Sequence, residues 1–249
     1  MEGAVAGWVA EHIGKGPRAL LLGATPEIAE MHWPESSSLT AVDNSLPMLQ
    51  ARWPGNVPGK RRAVCGNWLA LPYRAFSFDV AIGDGSINCL KYPGEMRALA
   101  ETISRVLRDD GILVLRSYVQ SDKQESPQEV YADSVGCFNA LKLRLLMAVQ
   151  QSSQEGVALK DVYISWMKRS LDAQSSPLGA GWRKPGVEMI ELYRDSNTMY
   201  AFPTLPELRR VLYEFFEEIS IAIPSYEMGN RCPILLLKPR RNHPRPQNA

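Results

Sequence analysis

Three apolar runs in the first ninety residues each end on a glycine or an acid, and this series constrains the fold more than any other feature. Ala19–Leu22 runs into Gly23-Ala24-Thr25-Pro26-Glu27, Leu39–Val42 ends on Asp43, and Phe78–Ile82 runs into Gly83-Asp84-Gly85-Ser86. Each run is too short and too continuously apolar for a surface helix, so each reads as a buried strand. Asp43 stands 20 residues past Gly23. That is about where alternating strand-helix folds carry an acid that can meet a ribose diol.

The intervening chain supports the alternation. Residues 4–13 place Val5, Trp8, Val9 and Ile13 at helical spacing, and Pro26–Met31 and Leu46–Trp53 read as crossover helices. Arg62–Cys65 is a weak third strand before Gly66. Residues 94–107 put Met96, Leu99, Ile103, Val106 and Leu107 on one helical face, Asp109-Asp110-Gly111 closes that helix, and Ile112–Leu115 is a fifth strand. Such alternation calls for an α/β fold, a parallel sheet with helices on both faces.

The pattern changes from Ser126 to Arg194, where no strand is evident. Helical stretches lie at 130–149 and 160–171, joined to the rest by a loose segment over Gln174–Gly181. We read 120–200 as a mainly helical insertion that covers the sheet within a single domain, 1–249. A helix at Leu205–Phe216 then leads to strands at Ile219–Ile223 and Pro233–Leu237. Their link, Pro224–Cys232, is too short for a helical crossover, so the last strand pairs antiparallel.

Composition narrows the function classes. Formal net charge is +1, so no overall field favours nucleic acid or an anionic membrane. Lys238-Pro239-Arg240-Arg241 opens a tail, 240–249, that reads as a solvated, flexible end. Cys65, Cys89, Cys137 and Cys232 are far apart and lack metal-ligand spacing, which predicts reduced thiols and no metal. No apolar run approaches the roughly 18 residues of a membrane span. The expectation is a soluble, cytoplasmic protein.

Ligands of open parallel sheets bind beyond the carboxyl ends of the strands. There, Gly23 gives either a plain tight turn or a close backbone approach to a ligand. Asp43 either accepts from a ribose diol or caps the next helix with Asn44 and Ser45. Cys65-Gly66-Asn67-Trp68 either reads an adenine edge or forms a turn around a core tryptophan. Gly83-Asp84-Gly85 is either a simple loop or a backbone pressed against a ligand, with Asp84 facing a cation or a hydroxyl.

Assembled, these residues resemble the class I S-adenosylmethionine-dependent methyltransferases. The likeness rests on Leu21–Glu27, Val42–Ser45, Gly66–Trp68 with Leu71-Pro72, and Phe78–Asp84. It departs at Thr25 and Glu27, where further glycines are usual, and at Asn67, where an acid is common. The resemblance implies a Rossmann-like seven-stranded sheet with an antiparallel last strand, and S-adenosyl-L-methionine, or S-adenosyl-L-homocysteine as product. The cofactor contacts it implies are Gly23, Ala24, Thr25, Asp43, Asn44, Met48, Gly66, Asn67, Trp68, Gly83, Asp84 and Gly85. Asp84 is the one candidate for a catalytic, orienting role. Transfer would be an in-line attack on the sulfonium methyl group.

The absence of a basic stripe with interleaved aromatics, and of an Asn-Pro-Pro-Tyr type motif, favours a small-molecule acceptor over nucleic acid. The insertion supplies aromatic residues for it, among them Tyr118, Tyr131, Tyr163, Trp166, Trp182, Tyr200 and Phe202. Of three histidines, only His12 sits where a helix could bring it to the cleft; His32 and His243 do not. A nicotinamide-dependent reductase would need a Tyr-x-x-x-Lys pair, and no tyrosine here has lysine four residues on. A non-catalytic adenosyl-binding module is the remaining alternative. Acceptor identity, the atom methylated and the oligomeric state are left open.

Overall fold

A sheet with strand order β3-β2-β1-β4-β5-β9-β8 organises the chain, seen in a computed structural model that describes residues 1–133, 136–172 and 188–240. The strands are β1 (Arg18–Leu22), β2 (Ser38–Asp43), β3 (Arg61–Cys65), β4 (Phe78–Asp84), β5 (Leu107–Arg116), β8 (Phe216–Ala222) and β9 (Ile234–Pro239). The first five pair in parallel, and β9 lies antiparallel between β5 and β8. The expected antiparallel last strand is therefore present, wedged inside the sheet next to its edge.

Side chains alternate along each strand and so divide the core in two. Leu20, Leu22, Ala81, Leu113, Leu115, Leu235 and Leu237 face helices α4 (Gly94–Val106) and α8 (Leu205–Leu212). Ala19, Leu21, Val80, Ile82, Val114 and Leu236 face α1 (Glu2–His12) and α2 (Pro26–Glu30). Each fully buried aliphatic side chain contributes about 1.5–3 kcal/mol, so burying both faces in this way fixes the register of the sheet. A one-residue slip would exchange the two sets.

Three sequence expectations need correction, the third being the single helix over 130–149. Asp109-Asp110-Gly111 does not close α4; it sits inside β5. Leu107 already pairs with Phe78, and the ladder resumes at Ile112 opposite Val80, so four residues loop out. Gly111 suits that loop because a Cβ there would stand 2.9 Å from the Asp79 carbonyl. The second correction concerns the insertion, which is not strand-free. Val157–Ala158 (β6) and Met199–Tyr200 (β7) pair antiparallel in a two-stranded sheet.

The rest of the described insertion is helical: α5 (Pro127–Ala132), α6 (Phe138–Val149) and α7 (Leu159–Asp172) around a core of their own that includes Leu145, Val162, Trp166 and Phe202. The single helix expected over 130–149 is two helices, α6 starting at the Cys137 cap. The loose segment Gln174–Gly181, Trp182 and all of the tail after Arg240 lie outside the described residues. Three buried amides hold the insertion's layer together, and one of them, Asn88, ties it to the segment after β4. Gln150 exchanges two hydrogen bonds with the backbone of Phe202, Gln120 donates to the Met147 carbonyl, and Asn88 joins both bodies. An ionic cluster does the same at the rim, where Glu125 accepts from Arg144 of α6 and from Arg231 of the β8–β9 link.

Candidate active site

The site grows from the end of β2. Asp43 is buried, and its Oδ1 accepts the Ser45 N–H at 2.8 Å. Its other oxygen faces the turn after β1, where a Cβ on Gly23 would stand 3.9 Å away. Gly23 holds φ +110°, a conformation side chains resist, and its N–H donates to the Val42 carbonyl. Ser45 Oγ in turn caps α3 (Leu46–Arg52) through the Met48 N–H. The capping role is thus taken by Ser45, which leaves one oxygen of the Asp43 carboxylate toward the strand ends.

The adenine-loop candidates fold tightly beside it. Gly66 N–H donates to the Asp43 carbonyl at 3.0 Å, and Asn67 Oδ1 accepts from Leu69 N–H, capping a short turn over Trp68–Ala70. The Trp68 indole N–H donates to the Val42 carbonyl at 2.6 Å. The tryptophan is therefore anchored in the core, with part of its surface turned to the cleft.

A cleft of about 640 Å³ opens in front of these residues. Asp43, Asn44, Met48, Asn67 and Trp68 line one side of it. Cys89, Lys91 and Glu95, from the segment after β4, and Gln154–Gly156, Leu159 and Thr198–Ala201 of the insertion complete the lining. The insertion thus contributes part of the cleft's lining. Gly66 is not among the cleft's lining residues. Gly23, Ala24, Thr25, Gly83, Asp84 and Gly85 are not among the residues lining it.

The tip of β4 explains part of this. Asp84 pairs with Arg116 of β5 at 2.5 Å, and Arg116 also donates to the Tyr226 hydroxyl at 3.1 Å. The cation that Asp84 was expected to meet on a ligand is supplied by the protein, so Asp84 orients Arg116. Gly85 takes φ +69°, and the Tyr118 ring lies directly on it; a Cβ there would stand 2.6 Å from Tyr118 Cε2. Over Gly83 sits Ser86, whose buried Oγ has no hydrogen-bond partner among the described residues. A Cβ at Gly83 would approach that oxygen to 2.6 Å, so the strand tip needs glycine for packing.

Two further residues, Asn88 and Cys89, were not singled out from the sequence as site residues, and Tyr200 was read there only as one of the insertion's aromatics. Asn88 is fully buried; its Nδ2 donates to the carbonyls of Tyr118 and Ala201, each at 2.8 Å, and its Oδ1 accepts from the Tyr118 N–H. Cys89 is exposed at the cleft, yet the protein atoms packed around its thiol desolvate it and push it up to about 11, with the Asp43 charge adding to the effect. Burial also pushes the Tyr200 hydroxyl well above its usual range. Both groups hold their protons at neutral pH, so neither starts as a base. The carboxylates lining the cleft are Asp43, Glu95 and Glu155. His12 packs beside Glu11 on α1, and His32 lines a separate pocket at the opposite ends of β2 and β3.

Residues 22–115 match the methyltransferase-domain family. No curated protein matches the chain. Among solved structures, the chain is similar to the 1,6-didemethyltoxoflavin-N1-methyltransferase of Burkholderia thailandensis, which holds 1,6-didemethyltoxoflavin and S-adenosylhomocysteine. The TM-score is 0.52 at 13% identity, over 96% of this chain and 77% of that one. A SAM-dependent methyltransferase from Methanosarcina mazei gives 0.53 at 17% identity, over 92% and 95%. The N-methyltransferase NodS of Bradyrhizobium japonicum, in complex with S-adenosylhomocysteine, gives 0.51 at 10% identity, over 97% and 86%. Likeness at such identities is one of fold. The methyltransferase-domain match over residues 22–115 runs from the end of β1 to β5 of the sheet β3-β2-β1-β4-β5-β9-β8, and it agrees with the resemblance to class I S-adenosylmethionine-dependent methyltransferases read from the same strands.

Proposed function

We propose that this protein transfers the methyl group of S-adenosylmethionine to a small-molecule acceptor, in one domain whose segment 120–200 serves as the acceptor cover. The observation that carries the reading is the shared cleft. Asp43, Asn44, Asn67 and Trp68 at the ends of β2 and β3 face Tyr200 and Leu159 of the insertion across a space of about 640 Å³. Pockets for small ligands run to about 300–1,000 Å³. The bound 1,6-didemethyltoxoflavin of one structural neighbour supports an acceptor of that size.

The residues present suit the adenosyl group. The Asp43 carboxylate would accept from the ribose diol, Asn67 and the Gly66 backbone would meet the base edge, and Met48 and Trp68 would cover its faces. When bound, the sulfonium supplies an activated methyl group for in-line displacement. The chain's own part is to orient the two reactants and to exclude water, which can supply much of the rate when charge is quenched.

The test is thermal melting with S-adenosylmethionine, S-adenosylhomocysteine and NADPH, followed by transfer of labelled methyl into metabolite pools. Either adenosyl ligand should raise the melting temperature by mass action and NADPH should not. No shift with either adenosyl ligand overturns the reading. Label found only in nucleic acid or protein overturns the small-molecule acceptor.

A further inference from the structure

Cys89 and Tyr200 come from distant parts of the chain, yet they share one wall of the cleft lined by Asp43. The Tyr200 hydroxyl and the Cys89 thiol are near enough to act on each other, and the Cys89 thiol donates toward the Gly85 carbonyl at 3.9 Å. The Asp43 carboxylate is near enough to act electrostatically on that thiol. Both positions are held firmly. Ala201 N–H donates to the Asn88 carbonyl at 2.9 Å, so the neighbours of Cys89 and Tyr200 are bonded to each other. The Tyr200 ring stacks on Phe202 at 6.2 Å and 18°. Gly156 lets the backbone of Tyr200 come so close that a Cβ would meet its carbonyl at 2.5 Å.

We propose that Cys89 and Tyr200 form the wall of the cofactor cleft that faces Asp43, so that a bound adenosyl ligand lies between the carboxylate and the thiol and the insertion binds it directly through Tyr200. The inference rests on the cleft being the cofactor site. Its chemistry fits a cationic, sulfur-bearing nucleoside. Asp43 supplies negative charge, and Cys89 and Tyr200, beside Lys91 and Glu95, supply a polarizable sulfur and an aromatic ring.

The experiment is alkylation of the full chain with N-ethylmaleimide at mildly alkaline pH, read peptide by peptide by mass spectrometry, with and without S-adenosylhomocysteine. Cys137, exposed at the start of α6, is the internal control. With ligand at about 100 times Kd the free fraction falls to about 1%, so Cys89 should be alkylated about a hundredfold more slowly while Cys137 is unchanged. Tyr200→Ala should weaken S-adenosylhomocysteine by about tenfold in calorimetry, the effect of one lost contact. If the ligand binds and Cys89 reacts at an unchanged rate, this wall is wrong and the cofactor reading stands. If the ligand does not bind at all, both fall. Should Tyr200→Ala fail to fold, the labelling of the unmodified protein still decides.

Discussion

Asn88 and Ala201, 113 residues apart, are joined twice: the Asn88 side-chain amide donates to the Ala201 carbonyl at 2.8 Å, and the Ala201 N–H returns to the Asn88 carbonyl at 2.9 Å. The same side chain also serves both backbone groups of Tyr118. Its removal strands several buried polar groups at once, each costing about 1–3 kcal/mol. Asn88→Ala should therefore lower unfolding stability by about 3 kcal/mol or more in urea titrations. Asn88→Asp should be no better, because a carboxyl group would face two carbonyl oxygens. A loss below about 1 kcal/mol would show that the stitch is not what holds the insertion to the sheet.

Asp43→Ala probes the carboxylate proposed to meet the ribose. The loss of charged hydrogen bonds, worth about 1.5–3 kcal/mol, should weaken S-adenosylhomocysteine by about 10- to 100-fold in calorimetry. The ligand-free protein should lose only about 1 kcal/mol, from the turn that Asp43 makes with Ser45 N–H. Unchanged affinity would remove Asp43 from the site.

Gly85→Ala tests the fit at the β4 tip. The left-handed φ of +69° and the Tyr118 ring at 2.6 Å both act against a methyl group. A cost of about 1–3 kcal/mol is expected by thermal or urea denaturation, combining backbone strain and overpacking. Tyr118→Ala should relieve the steric part, so the double variant should cost less than the sum of the two singles.

Glu125 gives a pH signature. Burial raises its carboxyl, but hydrogen bonds and charge from Arg144 and Arg231 outweigh burial and hold it below the usual value of 4.5. A carboxylate depressed in the folded state contributes stability above its unfolded pKa and loses it as pH falls through the folded one. The melting temperature should thus decline below about pH 4.5, and Glu125→Gln should flatten that limb. At neutral pH the same variant should be less stable, since Arg231 and Arg144 lose a shared partner in a partly buried place. A limb of unchanged slope would assign the acid sensitivity to other carboxylates.

Most of the sheet was legible from residue patterns. Continuous apolar runs such as Ala19–Leu22 have one strong reading, and Arg18–Leu22 and Ser38–Asp43 begin and end where the sequence places them. Asp43, Asn44, Met48, Asn67 and Trp68 were recoverable because they stand on short turns tied to strand ends. The start of β5 was not, because Asp109-Asp110-Gly111 is a turn sequence whether it ends a helix or loops out of a strand. Two-residue strands such as Val157–Ala158 carry no period to detect. Thr204-x-x-Glu207, a capping box at the start of α8, was readable but absent from the sequence argument. Asn88 and Cys89, and the placement of Tyr200 beside them, were hidden for a different reason. Their roles depend on a hydrogen bond between segments 113 residues apart, which no local spacing can announce.

The position of β9 between β5 and β8 has a consequence for the order in which this molecule becomes competent. Strands β1, β2 and β4, with the Asp43 side of the cleft, can assemble from the first 116 residues alone. The strand that completes the sheet interior arrives only with residues 234–239, and its partner β5 lies more than a hundred positions upstream. Long-range pairing of this kind is the slow part of folding. In refolding followed by pulsed hydrogen exchange, amides of β1 and β2 should be protected before those of β9. During synthesis, a nascent chain would then carry half a binding site, unable to retain a nucleoside until its far end has been made.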